Sequence, residues 1–148
     1  IEIMRRKVDF VVLDVDILYG YVDWNDEESC KNLVETIANI SKDIMQSGKP
    51  VLWAMAGLLD RLKTVYNSRY FSEIKCLALV CEDEALRKRM QEGRNITDEN
   101  WLNSSSDYNR YFMEHDSIGD TAFETFDITG KEPDKVADYV VEWVHRSL

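Results

Sequence analysis

Val8-Asp9-Phe10-Val11-Val12-Leu13 is short, rich in β-branched and aromatic residues, and almost continuously apolar; it stops on Asp14-Val15-Asp16. A strand with one face in water alternates apolar and polar residues. A run without that alternation predicts a strand covered on both faces, as in a parallel sheet layered by helices. Working outward, a helix follows. Asn25 caps it, with Glu28 three residues on as a capping box requires, and Leu33, Val34, Ile37, Ile40, Ile44 and Met45 recur at helical spacing. Gly48 and Pro50 end it.

The same alternation of strand and helix continues along the chain. Pro50–Met55 reads as a second buried strand, then a turn at Gly57 and a loop or helix from Leu58 to about Tyr66. Ile74–Val80 reads as a third strand. Asp83 caps a short basic helix running to about Gln91. Thr97 caps another, with Trp101, Leu102, Tyr108 and Phe112 on its inner side. Phe123–Ile128 reads as a fourth strand, and Pro133 opens a final helix striped by Val136, Tyr139, Val140, Trp143 and Val144. This order predicts parallel strands with helical crossovers in one three-layer α/β domain spanning residues 1–148.

Composition narrows the partners. Charged residues make up 31% of the chain and the net charge is −10. Such a field repels phosphate backbones and anionic lipid, so neither nucleic acid nor a membrane is an expected partner. A phosphate ligand must be held by local groups. Cys30, Cys76 and Cys81 form no CxxC pair, which predicts neither a zinc site nor a disulfide framework; Cys76 reads as a buried core thiol. No apolar stretch reaches the roughly 18 residues of a membrane span. With no signal peptide visible, the expected compartment is the cytoplasm.

Asp14 and Asp16 fall just past the carboxyl end of a strand, the edge where open α/β sheets bind ligands. Carboxylates there hold Mg²⁺ or accept a substrate hydroxyl; the other reading is a pair of solvated loop acids. Arg87, Arg89 and Arg94 lie on or just after the short helix behind the third strand, and Arg110 one helix later, with forks that suit phosphate oxygens, or else pair with Glu82, Glu84 and Glu92 along a helix surface. Tyr19, Tyr21 and Trp24 either wall a pocket or close the core. His115 and His145 stand alone as surface residues. The phosphate-binding pattern G-x-x-x-x-G-K-[ST] does not occur in the chain.

Three segments together resemble P-loop nucleoside and nucleotide kinases. Val11-Val12-Leu13-Asp14-Val15-Asp16-Ile17-Leu18 looks like their second strand and its aspartates. Arg69-Tyr70-Phe71-Ser72-Glu73-Ile74, continuing through Leu79-Val80-Cys81-Glu82-Asp83-Glu84-Ala85-Leu86 to Arg89 and Arg94, looks like their fourth strand and arginine-bearing lid, about residues 83–115. Phe126-Asp127-Ile128-Thr129-Gly130, then Pro133 to Trp143, resembles their closing strand, loop and helix. In particular, the set is similar to a bacterial group of AAA-family ATPases and nucleoside kinases of uncharacterised activity. The resemblance implies ATP and Mg²⁺ as cofactors, a small-molecule phosphoryl acceptor, and a sheet of the P-loop type. It implies Asp14 at the acceptor or the metal, with Asp16, Tyr19 and Arg110 at the substrate. Arg89 and Arg94 would face the phosphates, and Thr129 and Gly130 the adenine ring. The alternative is a non-catalytic relative acting as a binding or regulatory module. An unrelated flavodoxin-like domain fits less well, because no Asp or Lys stands at Met55 or Val80.

In that family the first strand and its phosphate loop lie at the centre of the sheet. Without them, two strand pairs are expected with no strand between: Val8–Leu13 with Pro50–Met55, and Ile74–Val80 with Phe123–Ile128. The chain also opens on Ile1 rather than Met. The expectation is therefore that the loop lies upstream in a longer chain; otherwise the two pairs close directly on each other, or a partner chain supplies the missing strand.

Overall fold

A computed structural model describes residues 2–55 and 59–148. The expected turn at Gly57 and the start of its following segment at Leu58 lie outside the described residues. By backbone contacts the chain divides into two compact units: Ile1–Ile74 with Ala137–Leu148, and Lys75–Val136.

In the first unit, β1 (Val11–Asp14) and β2 (Val51–Ala54) pair in parallel, with Val11 opposite Val51 and Asp14 opposite Ala54. Between them runs α1 (Glu27–Met45). Its cap is Asp26, which accepts from the Glu28 N–H at 3.1 Å, and not Asn25, whose own N–H donates to Asp23 Oδ1 at 3.0 Å. β1 begins at Val11 rather than Val8 because, in the observed register, the next bond back would need an N–H from Pro50, which proline lacks. Asp9 is held by His145 Nε2 at 3.1 Å and Phe10 packs edge-on against the same imidazole. That imidazole belongs to α5 (Pro133–Ser147), whose residues from Ala137 onward join this unit and bury Ala137, Val140, Trp143 and Val144. Arg6 adds a two-nitrogen contact to Asp138 Oδ1 at 3.0 and 2.8 Å.

The core of this unit is Val15, Leu33, Val34, Ile37, Ala38, Leu62 and Val65; Leu62 closes the single-turn helix Leu59–Leu62, α2. Ser41 is 1% exposed, and its hydroxyl accepts from the Trp53 indole at 2.7 Å. One contact thereby satisfies two polar groups that are costly to bury unpaired.

In the second unit, β3 (Leu77–Val80) pairs in parallel with a late strand, Glu124–Asp127. The connection holds α3 (Asp83–Lys88), a π turn over Arg89–Gly93, and α4 (Glu99–Glu114). Asn95 takes a positive φ of 53° and Ile96 N–H donates to Met90 O at 3.0 Å. Met90, Ile96 and Leu102 then pack as a small cluster, the apolar clasp that accompanies such helix ends. Asp98, not Thr97, caps α4 by accepting from Trp101 N–H at 2.9 Å. On α4, Leu102 is buried as expected, whereas Trp101 and Tyr108 face solvent. A tight hairpin of β4 (Ser117–Ile118) and β5 (Thr121–Ala122) is an addition to the expected elements; Gly119 at φ 55° turns it, and the late strand after it is β6.

Both parallel pairings expected from the sequence are found, each as a two-stranded sheet. Burial is the difference. Val11, Val12 and Leu13 are half-buried, Leu79 is 44% exposed, and Cys76 is half-buried rather than a core thiol. A two-stranded sheet leaves its outer edges uncovered by any third strand, so apolar strand residues stay in partial contact with water. Among the described residues no helix is long and apolar enough to cross a membrane.

Asn109 on α4 resolves one such edge. A parallel strand turns each residue's N–H and C=O to one side and alternates sides along the chain. Val80 O receives Ile128 N–H from the β6 side, so Cys81 points the other way. There the Asn109 amide accepts from Cys81 N–H at 3.0 Å and donates to Cys81 O at 2.7 Å, acting as a one-residue substitute for a neighbouring strand. Asn109 is 9% exposed. Replacing it with Ala strands two buried peptide groups. Asn109→Ala should lower unfolding free energy by about 3 kcal/mol in urea titrations, whereas the exposed Asn100→Ala should stay within about 0.5 kcal/mol.

Candidate functional site

The sequence-derived site residues fall into the two units separately. In the first, Asp14 is the last residue of β1, exposed at its carboxyl end. The chain turns at once into a 3-10 helix, Val15–Tyr21, because Val15 at 1% exposure is drawn into the core while Asp16 stays outside. Tyr19 packs edge-on against Trp24 with ring centroids 4.9 Å apart, and it rests on the core cluster. Tyr21, 87% exposed, and Ile17, 74% exposed, project from the same turn. The aromatic pair therefore closes the core beneath the loop, and the acids stand at its rim.

In the second unit the loop after β6 is a closely tied structure. Thr129 N–H donates to Asp127 Oδ1 at 2.8 Å, and Thr129 Oγ1 accepts from Glu82 N–H at 2.9 Å. The carboxyl ends of β3 and β6 are thereby joined one step beyond their last ladder bond, Ile128 N–H to Val80 O at 2.7 Å. The Thr129 hydroxyl and then its backbone N–H hold the Asp127 carboxyl below its usual pKa. Gly130 takes φ 65°, a backbone region that penalises any Cβ, and no heavy atom lies within 4 Å of where a Cβ would be.

Arg89 sits in the π turn and is spent on this loop. Its Nη2 donates to Ile128 O at 2.8 Å and reaches Lys131 O at 3.4 Å. Arg89, Thr129 and Gly130 are thus brought together, with Arg89 acting as a brace on backbone carbonyls. Lys131 folds its ammonium over the Phe126 ring at 5.2 Å. Arg94 follows the π turn and is exposed, with no ion pair among the described residues. Arg110 pairs with Asp107 at 3.3 Å, one turn back on α4. Arg87 pairs with Asp83 at 3.2 Å and Glu99 at 3.6 Å. The arginines are mostly distributed among local partners instead of converging on one point.

Sequence reasoning missed Glu82, Asp127 and Asn109 as organising residues. Glu82 contributes only its backbone N–H, which no side-chain pattern announces. The Asp127-x-Thr129 spacing is an Asx-turn signal and was available. Burial pushes the Cys81 thiol up, an inert setting for a sulfur at a strand end.

As for a metal, among the described residues no three carboxylate, imidazole or thiolate groups converge. Asp14 alone fits only the role a single carboxylate has toward Mg²⁺, holding it through water with phosphates completing the shell. No family model matches this sequence, and no curated protein or solved structure matches it.

Asp127 gives a pH test of the loop. Its depressed native pKa means its stabilisation is complete above the ordinary carboxylate pKa and fades as pH falls through the native value. The stability gap between the natural chain and Asp127→Asn should thus be widest near about pH 6 and shrink by about pH 2. Urea titrations at both pH values measure it, and an unchanged gap would show the carboxylate is not held by Thr129.

Proposed function

We propose that this chain is the portion of an ATP-dependent small-molecule phosphotransferase that follows the phosphate-binding loop. The observation that carries the reading is Asp14, which ends a strand paired in parallel through a helical crossover and stands exposed at its carboxyl end. That is the position from which a carboxylate serves a ligand over an open α/β sheet. The sheet is of the P-loop type in this reading, and the loop itself comes on a strand outside these 148 residues, pairing with an open strand edge.

The residue roles follow chemistry. Asp14 accepts the proton of the acceptor hydroxyl, or orients Mg²⁺ through water. Asp16 faces the acceptor, a nucleoside or nucleotide, on the loop that Tyr19 closes against the core. Arg94 and Arg110 supply positive charge toward phosphates. Arg89 holds the Thr129–Gly130 loop, and that loop faces the adenine. ATP with Mg²⁺ supplies the phosphoryl group and neutralises its charge; the protein contributes position and electrostatics.

A second reading is a binding or regulatory module without catalysis. The arrangement favouring it is the commitment of Arg89 to carbonyls and of Arg110 to Asp107, which leaves Arg94 as the lid arginine without an ion pair among the described residues.

Calorimetry with Mg-ATP on the full-length protein separates the two. The kinase reading expects saturable heat, and Asp14→Asn should slow phosphoryl transfer by about 100-fold with ATP affinity nearly unchanged. No heat at millimolar nucleotide selects the binding module.

A further inference from the structure

Tyr66, Arg69 and Tyr70 lie on one 3-10 turn, Tyr66–Tyr70, in the first unit. The inward residues of that turn are fixed. Val65, just before it, is buried, and Ser68 Oγ donates to Val65 O at 2.7 Å. Asn67 donates to Glu35 of α1 through its backbone N–H at 3.2 Å and through its side-chain amide. Phe71 packs edge-on against Trp53. The outward residues are presented to solvent on this anchored base, with Tyr66 63% and Tyr70 51% exposed.

The Arg69 guanidinium lies over the Tyr66 ring, 3.4 Å from its centroid, and 4.8 Å from that of Tyr70. Its Nη2 donates to both phenol oxygens, at 2.8 Å to Tyr70. The chain holds 28 acidic against 18 basic residues, and Arg5, Arg6, Arg87 and Arg110 each take a carboxylate. Arg69 takes phenols instead, and no carboxylate pairs with it among the described residues.

Phenols hold a guanidinium without cancelling its charge. Each phenol oxygen that accepts from Arg69 keeps its own O–H to donate. The turn therefore displays a held cation beside two phenol hydroxyls, that of Tyr66 also reaching the Tyr70 oxygen. The Tyr70 hydroxyl is drawn below the usual phenol pKa, first by its hydrogen bond from Arg69, which makes it a stronger donor. Lys42 lies 5.6 Å from the Tyr70 ring centroid, its ammonium shared with Asp43 at 3.4 Å and Asn39 at 2.8 Å. A planar guanidinium beside a phenol hydroxyl suits the oxygens of a tetrahedral oxyanion. The net charge of −10 disfavours extended polyanions and anionic bilayers.

We propose that Tyr66, Arg69 and Tyr70 form a binding site for a single phosphoryl group on a small soluble ligand. It uses none of the side chains given a role in the kinase reading, although Arg69 and Tyr70 open one of the segments that carry the resemblance.

The test is an NMR titration of the full chain with inorganic phosphate at constant ionic strength, following the Arg69 Nε–Hε signal and neighbouring backbone amides. A saturable shift is expected, with chloride producing none. Arg69→Gln should weaken phosphate binding by at least about tenfold, the loss of a charged hydrogen-bonding partner. Tyr70→Phe, which keeps the ring, should weaken it severalfold. Phosphatidylserine vesicles should not compete. The proposal is overturned if no shift saturates, if chloride reproduces it, or if Arg69→Gln binds equally well. Vesicle binding that phosphate fails to displace also overturns it.

Discussion

A parallel strand hands alternate peptide groups to opposite neighbours, and everything else in this chain is arranged around that constraint. In β1 the groups of Val11 and Leu13 face β2, and in β3 those of Ala78 and Val80 face β6. The intervening groups face outward. A pair of strands satisfies one row each and leaves one row each. Among the described residues those outer rows take no strand partner.

The second unit shows how side chains complete part of that task. Asn109 reproduces a strand's two hydrogen bonds at Cys81, beyond the end of β3. Thr129 does the equivalent between Glu82 and Asp127, one step past the ladder. Arg89 then takes the carbonyls of Ile128 and Lys131. Three polar side chains thereby shape the carboxyl end of the sheet into a defined loop, and in the proposed reading this loop meets a nucleotide. Polar side chains at half-buried backbone serve structure first. Asp14 stands at the matching end of β1 without such a scaffold.

Much of the fold was legible, and the reasons are local. Continuous apolar runs fixed which residues are strands, and the helical crossovers fixed their parallel direction. Periodicity placed Leu33, Val34 and Ile37 in the core. What could not be read was long-range. The contact of His145 with Asp9 and Phe10 joins residues more than a hundred positions apart. Caps slipped by one residue, from Asn25 to Asp26 and from Thr97 to Asp98, because adjacent side chains of similar capping strength compete. In the candidate site, the positions of Asp14 and of the Thr129–Gly130 loop were readable from strand ends. The restraint of Arg89 was not, since its partners are backbone carbonyls that carry no sequence signal. The Tyr66–Arg69–Tyr70 cluster was hidden for a similar reason: its spacing reads as an ordinary helical turn until the inward residues are seen to be anchored.

Amide hydrogen exchange across the four long strands measures the central claim most directly. Two separate parallel pairs predict protected amides at Leu13, Leu52, Ala78 and Val80, each facing a partner strand, and at Cys81, held by Asn109. They also predict rapid exchange at Val51, Trp53, Leu77 and Leu79, whose N–H groups point to the outer edges. Equal protection of both sets in the isolated chain would contradict the paired-strand architecture.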